Sequence, residues 1–172
     1  MKKLSVAEFM IAVAAATLLV TTGCSTMKRG GETEGEILEA GDDFPMTGER
    51  FDAMYPRVEG VTFQPVYFGY DNYQIPAGEQ TKIDAVIEFL RTNGGVVIVV
   101  EGHCDDRGTN EYNMSLGEYR AQSIRAYIIN AGISANRIQT ASFGEERPAV
   151  AGSGESAWKM NRRGEFVAFK AR

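Results

Sequence analysis

Apolar and polar positions divide the chain into three stretches with different rhythms. Phe9 to Val20 is an unbroken run of 12 uncharged, mostly apolar residues. From Ser25 to about Gly60 periodicity is lost among glycines and acids. It returns from Val61 onward. Val66-Tyr67-Phe68 predicts a short strand, ended by Gly69 and Asp71-Asn72. Pro76 opens a helix at its first position, where a missing N–H costs nothing. Ile83, Val86, Ile87 and Leu90 then keep an i, i+3, i+4, i+7 spacing, one helical face. Asn93-Gly94-Gly95 stops that helix. Val96 to Val100 is continuous and β-branched, as in a strand buried on both faces. A polar loop, Glu101 to Asn110, leads to a second helix ending near Ala131-Gly132. It starts either at a Thr109 cap or at a capping box of Ser115 and Glu118. Ile138 to Phe143 alternates as a strand. A short helix around Ser156 to Met160 and a last strand, Glu165 to Phe169, complete the pattern. Strands alternating with helices predict an α/β fold, a two-layer sandwich with helices on a small mixed sheet.

The first two stretches are read as accessories. Lys2 and Lys3 precede an apolar run too short to span a membrane comfortably, which needs about 20 residues. The pattern fits a secretory signal. Thr21-Thr22-Gly23-Cys24 resembles the lipobox of bacterial lipoproteins, with Thr21 where Leu is usual, which makes Cys24 the expected lipidation site. The expected division is therefore a signal peptide at 1–23, a lipidated Cys24 with a flexible, disordered acidic linker at 24–60, and a folded domain at 61–172. Coil statistics give such a linker roughly 30–36 Å between its ends. Net charge is −5 over 172 residues, but it is unevenly spread. Met1–Gly23 carries +1, Cys24–Gly60 −5 and Val61–Arg172 −1. A domain near neutrality offers no electrostatic support for nucleic-acid binding. Two cysteines and one histidine leave little room for a disulfide scaffold or a His-based metal centre.

The stretch from Glu101 to Arg125 is the richest in chemistry. Leu116, Arg120, Ile124 and Ile128 recur at i+4 and share a helical stripe, so Arg120 is a permanent cation in an apolar row. It calls for a partner. Asp105 is one candidate; a side chain reaching out to water is another solution. His103, Cys104 and Asp105 include nucleophile, base and acid types, but neighbours in a strand point to opposite faces and assemble neither a triad nor a metal site. His103 reads as a hydrogen-bonded structural residue and Cys104 as a small buried hydrophobe. No enzyme signature or cofactor motif is present.

Val100 to Thr109 (VEGHCDDRGT), Glu111 to Glu118 (EYNMSLGE) and Arg120-Ala121 resemble the peptidoglycan-associated lipoprotein (Pal) branch of the OmpA-like domains. Tyr67-Phe68-Gly69-Tyr70-Asp71, Ser142 to Ala149 and Asn161-Arg162-Arg163 belong to the same resemblance. Gly69 stands where Phe-Asp is usual, and Cys104 where Ala or Thr is usual. The resemblance implies an OmpA-like fold and non-covalent, non-enzymatic binding of the peptidoglycan peptide stem at its meso-diaminopimelate. By matched position, Asp105 receives the ligand ammonium, and Arg120 grips its carboxylate through two parallel N–H bonds. Asn113 matches the pocket asparagine. Asp71, Gly108, Thr109 and Leu116 match other lining positions. Arg163, with Arg162 beside it, matches a rim arginine. Thr109 as a cap, Gly108 as a turn and Leu116 as core are equally good structural readings. The resemblance further implies an outer-membrane lipid anchor, a periplasmic domain, a Tol-Pal role in envelope integrity and cell division, and TolB as a partner. The alternatives are a structural or partner-binding lipoprotein with a degenerate pocket, or a wall-modifying enzyme.

Overall fold

The computed structural model describes residues 55–171. The expected signal peptide, Cys24 and the expected linker as far as residue 54 lie outside the described residues. Among the described residues, no helix is long and apolar enough to cross a membrane. Four strands form one sheet: β1 (Val66–Tyr67), β2 (Val96–His103), β3 (Ile138–Gly144) and β4 (Arg163–Lys170). Their order is β1-β4-β2-β3. Strands β2 and β3 are parallel, and β4 runs antiparallel to both β1 and β2, so the sheet is mixed. The helices are α1 (Gln80–Thr92), α2 (Asn110–Asn130) and α3 (Glu155–Asn161).

The parallel β2–β3 pair requires a crossover, and α2 supplies it. The stripe on α1 (Ile83, Val86, Ile87, Leu90) and that on α2 (Ala121, Ile124, Ile128) bury against Val66, Ile98, Val100 and Ile138. A smaller apolar cluster of Val99, Ala141, Phe143 and Phe169 covers the other face, with Tyr55, Val97 and Val167 packed on it. This is why the Val96–Val100 run is apolar on both sides. The α/β two-layer architecture is as expected from the sequence.

Several local expectations need correction. Glu101, Gly102 and His103 are not loop but the last three residues of β2: β3 pairs with all three, and β4 pairs with Glu101 and Gly102. Pro76 does not start an α-helix; it precedes a 3₁₀ turn at Ala77–Glu79, from which α1 continues. Of the two starts expected for α2, the Thr109 cap is the one formed: its hydroxyl accepts from the Tyr112 N–H at 3.3 Å. Folded structure also begins before Val61. Val58 N–H donates to Ala168 O, Lys170 N–H donates to Pro56 O, and Arg57 bridges Phe169.

One contact sets the distance between α2 and the sheet. Gly102 on β2 and Gly117 on α2 meet backbone to backbone, and a Cβ on Gly102 would fall 1.9 Å from Gly117 O. Ser142 Oγ on β3 donates to Met114 O at 2.6 Å and pins the same turn of the helix. The loop between β2 and α2 is thereby held over the strand ends.

Candidate functional site

A cavity of about 460 Å³ opens where that loop meets the segments following β1 and α3. Asp71, Asp105, Gly108, Thr109, Asn113, Leu116, Arg120 and Arg162 all line it. Arg163, the residue expected at the rim, is not among the lining residues. It is the first residue of β4, one step beyond Arg162, and a strand turns successive side chains to opposite faces. Its guanidinium instead bonds Glu165 Oε1 at 2.5 Å, Asn161 O at 3.3 Å and Arg147 O at 3.1 Å.

Arg120 is 1% exposed. Its Nε donates to Asn72 O (2.9 Å), Nη1 to His103 O (2.8 Å) and Cys104 Sγ (3.2 Å), and Nη2 to Gly69 O (3.0 Å). It also sits over the Phe68 ring at 5.3 Å. The buried cation is thus solvated by carbonyls, neither paired with Asp105 nor extended to water. An arginine has five N–H donors, and the four bonds above leave one, on Nη2. A grip through two free, parallel N–H bonds is therefore not preformed.

Asp105, buried at 4% exposure, is also committed. Arg107 forks onto it, Nε to Oδ1 at 3.1 Å and Nη2 to Oδ2 at 2.5 Å. Arg162 Nη1 adds a bond to Oδ2 at 3.1 Å, and the Arg107 N–H one to Oδ1 at 3.3 Å. Burial alone would raise the Asp105 pKa, but the bonds from Arg107 and Arg162 hold its carboxyl below the ordinary range. Asn113 Nδ2 donates to Asp105 O, Arg107 O and Glu145 Oε2, so it braces the loop rather than projecting a free amide. Asp71 has φ +49°, a left-handed backbone that Asp tolerates, and accepts a short hydrogen bond from the Tyr112 hydroxyl.

Four further lining residues were not among the expected site residues: Tyr70, Cys104, Arg107 and Tyr112. Arg107 is held between the Tyr70 and Trp158 rings, 4.0 Å from each centroid. Its position two residues after Asp105 was the available signal, since that spacing lets a loop side chain fold back onto the carboxylate. Cys104 is buried as expected, and burial pushes its thiol up to about 11. His103 was expected to be hydrogen-bonded, but neither ring nitrogen has a partner among the described residues.

Burial, with the charges of Arg163 and Arg147, lowers the His103 pKa from 6.5 to about 3. The unfolded chain takes up a proton below pH 6.5 that the folded chain refuses. Stability is therefore complete above pH 6.5 and falls by about 1.4 kcal/mol per pH unit below it, until the folded ring titrates. Asp105 adds to the loss only once pH falls below the ordinary aspartate range. In chelator-containing buffer the melting midpoint should drop steadily from pH 6.5 to 4.5, with the imidazole neutral by NMR. A midpoint constant over that window would contradict the assignment.

Residues 67–162 match the OmpA family. A peptidoglycan-associated lipoprotein of Pasteurella multocida is 43% identical over 101 residues, covering 59% of this chain and 67% of the relative. One from Pseudomonas aeruginosa is 35% identical over 163 residues, covering 90% and 94%. The crystal structure of the Burkholderia pseudomallei peptidoglycan-associated lipoprotein superposes with a TM-score of 0.60 at 31% identity, covering 61% of this chain and 89% of that one. With the mixed sheet, the convergent cavity and the matched loop in place, this chain belongs to the OmpA family, among the peptidoglycan-associated lipoproteins.

Proposed function

We propose that the chain is a lipid-anchored protein of the outer membrane whose periplasmic domain binds peptidoglycan without covalent chemistry. Its ligand is the diaminopimelate end of the peptide stem. The observation that carries this reading is the charge arrangement of the cavity: three arginines (107, 120, 162) and two aspartates (71, 105) line one small space. A zwitterionic carbon with its ammonium and carboxylate needs both signs a few ångströms apart.

The ligand-free geometry supports an exchange of partners at Asp105. Arg107, with 28% side-chain exposure against 7% for Arg162, is the partner free to release Asp105. The ligand ammonium then takes its place. Arg107, still held between Tyr70 and Trp158, turns its charge to the ligand carboxylate together with the open N–H of Arg120. Each charge-assisted bond contributes about 1.5–3 kcal/mol, so single-site affinity is modest. A domain tethered beside a polymer of repeated sites attaches firmly through effective concentration.

A binding role suits the chemistry better than an enzymatic one. The cavity thiol of Cys104 is protonated at neutral pH, and His103 does not line the cavity. Lipidation of Cys24 supplies the anchor, and mass spectrometry of the mature N-terminus tests it. The family context makes TolB the partner to test by pull-down in envelope integrity and division.

The site is tested with Asp105→Asn, which keeps the side-chain shape. Cosedimentation with purified sacculi should weaken at least about ten-fold, after normalising to the folded fraction. Free meso-diaminopimelate should compete with the parent. A folded variant that sediments as well as the parent would remove Asp105 from the site.

A further inference from the structure

The face of β2 turned away from α2 carries a second constellation, independent of the cavity. Gly102 points at the α2 backbone, so Glu101 before it projects to the opposite face, and His103, past the register shift after Gly102, lies on that same face against Phe143. There Glu101 lies in direct register with Glu165 of β4. Two carboxylates facing each other across adjacent strands need positive charge beside them, which Arg163 supplies to Glu165. His103, 1% exposed and stacked on Phe143 at 5.5 Å, completes the group, yet among the described residues neither of its ring nitrogens has a hydrogen-bond partner. A buried polar group without a partner costs about 1–3 kcal/mol and calls for an explanation. One ligand atom from each of Glu101, His103 and Glu165 falls within 4.8 Å of the others.

We propose that Glu101, His103 and Glu165 bind a divalent transition-metal ion of the Zn²⁺ type, which staples β2 to β4. A cation between the strands is shared by both carboxylates and gives the imidazole a partner. A mixed nitrogen–oxygen donor set of three leaves a fourth position for water, an arrangement suited to zinc. Arg163, which holds Glu165 through Oε1, then orients the ligating carboxylate from behind. Arg163 and Arg147 are also the charges felt by His103. They offset much of the carboxylate charge, so hard ions bound by charge alone, such as Mg²⁺, gain little. Zn²⁺ gains a nitrogen bond they do not form. The imidazole is neutral at pH 7 and needs no proton release before it ligates.

The chain has one histidine, so its ring nitrogens give a site-specific signal. Titrating the untagged full chain with ZnCl₂ should shift one His103 ring ¹⁵N resonance to completion at one equivalent per site, with a higher melting midpoint. MgCl₂ should leave the resonance in place. Glu165→Gln is the informative variant, because its side chain is 42% exposed and glutamine keeps its shape while removing the carboxylate charge; the response is compared on the folded fraction. It should weaken the Zn²⁺ response at least about ten-fold. A ring signal indifferent to excess Zn²⁺, as when metal sits only on cysteine thiols or surface carboxylates, overturns the proposal. So does a Glu165→Gln chain that responds like the parent.

Discussion

Replacing Arg120 by alanine should destabilise the domain by about 3–5 kcal/mol, measured by urea unfolding. The side chain is among the largest fully buried ones, so its removal leaves a cavity in the α2 stripe between Leu116 and Ile124. It also strands three carbonyls, those of Gly69, Asn72 and His103, which have Arg120 as their donor. These carbonyls belong to the turn after β1 and to the end of β2, two segments that Arg120 ties together. The melting midpoint should fall by roughly 10–25 °C. The turn carrying Asp71 should lose hydrogen-exchange protection before the rest. Sacculus binding by this variant therefore reports on ligand contact only after correction for the folded fraction. A variant that melts within a few degrees of the parent would show that the carbonyl cage is not stabilising.

Gly102→Ala should be at least as damaging, costing more than about 3 kcal/mol, with loss of binding as well. The new methyl would lie 1.9 Å from Gly117 O and 2.6 Å from Gly117 C, both backbone atoms. No rotamer change relieves that clash, so α2 must move off the sheet. The helix carries Asn113, Leu116 and Arg120, and the strand leads directly into Asp105, so the two walls of the cavity separate when the helix moves. Gly94→Ala is the control. Nothing lies within 4 Å of its Cβ position, and its stability should match the parent within about 0.5 kcal/mol. If both alanine variants unfold at the parent's urea midpoint, the glycine contact does not set the helix–sheet spacing.

Much of the framework is legible in the amino-acid order because it rests on short-range periodicity. The Ile83–Leu90 face, the Val96–Val100 run and the Leu116–Ile128 stripe each encode which side of an element is buried, and each is buried in the fold. The loop motif around Asp105 and the helix motif around Arg120 likewise pointed to residues that the fold brings to one cavity. Their ligand roles are proposals for the binding experiments above. Polarity misled at Glu101–His103, which look like loop yet complete a central strand. Their backbone is paired by β3 and β4, two segments distant in sequence. The matched position favoured Arg163, whereas Arg162 lines the cavity, for a related reason. Which of two adjacent arginines faces the cavity depends on where β4 begins, and strand pairing decides that.

By itself, then, the sequence determined the order of elements, the buried faces, and the loop and helix that carry the cavity's charges. These follow from local spacing, which a linear chain records directly. Only the tertiary structure decided what each charge is paired with. Arg120 rests on carbonyls, Asp105 on Arg107 and Arg162, and Glu101 faces Glu165 beside a buried imidazole. A charged side chain in a folded interior takes its character from the groups that replace its water. Those groups come from segments up to 57 residues away for Asp105 and Arg162, a proximity that only the packed sheet creates.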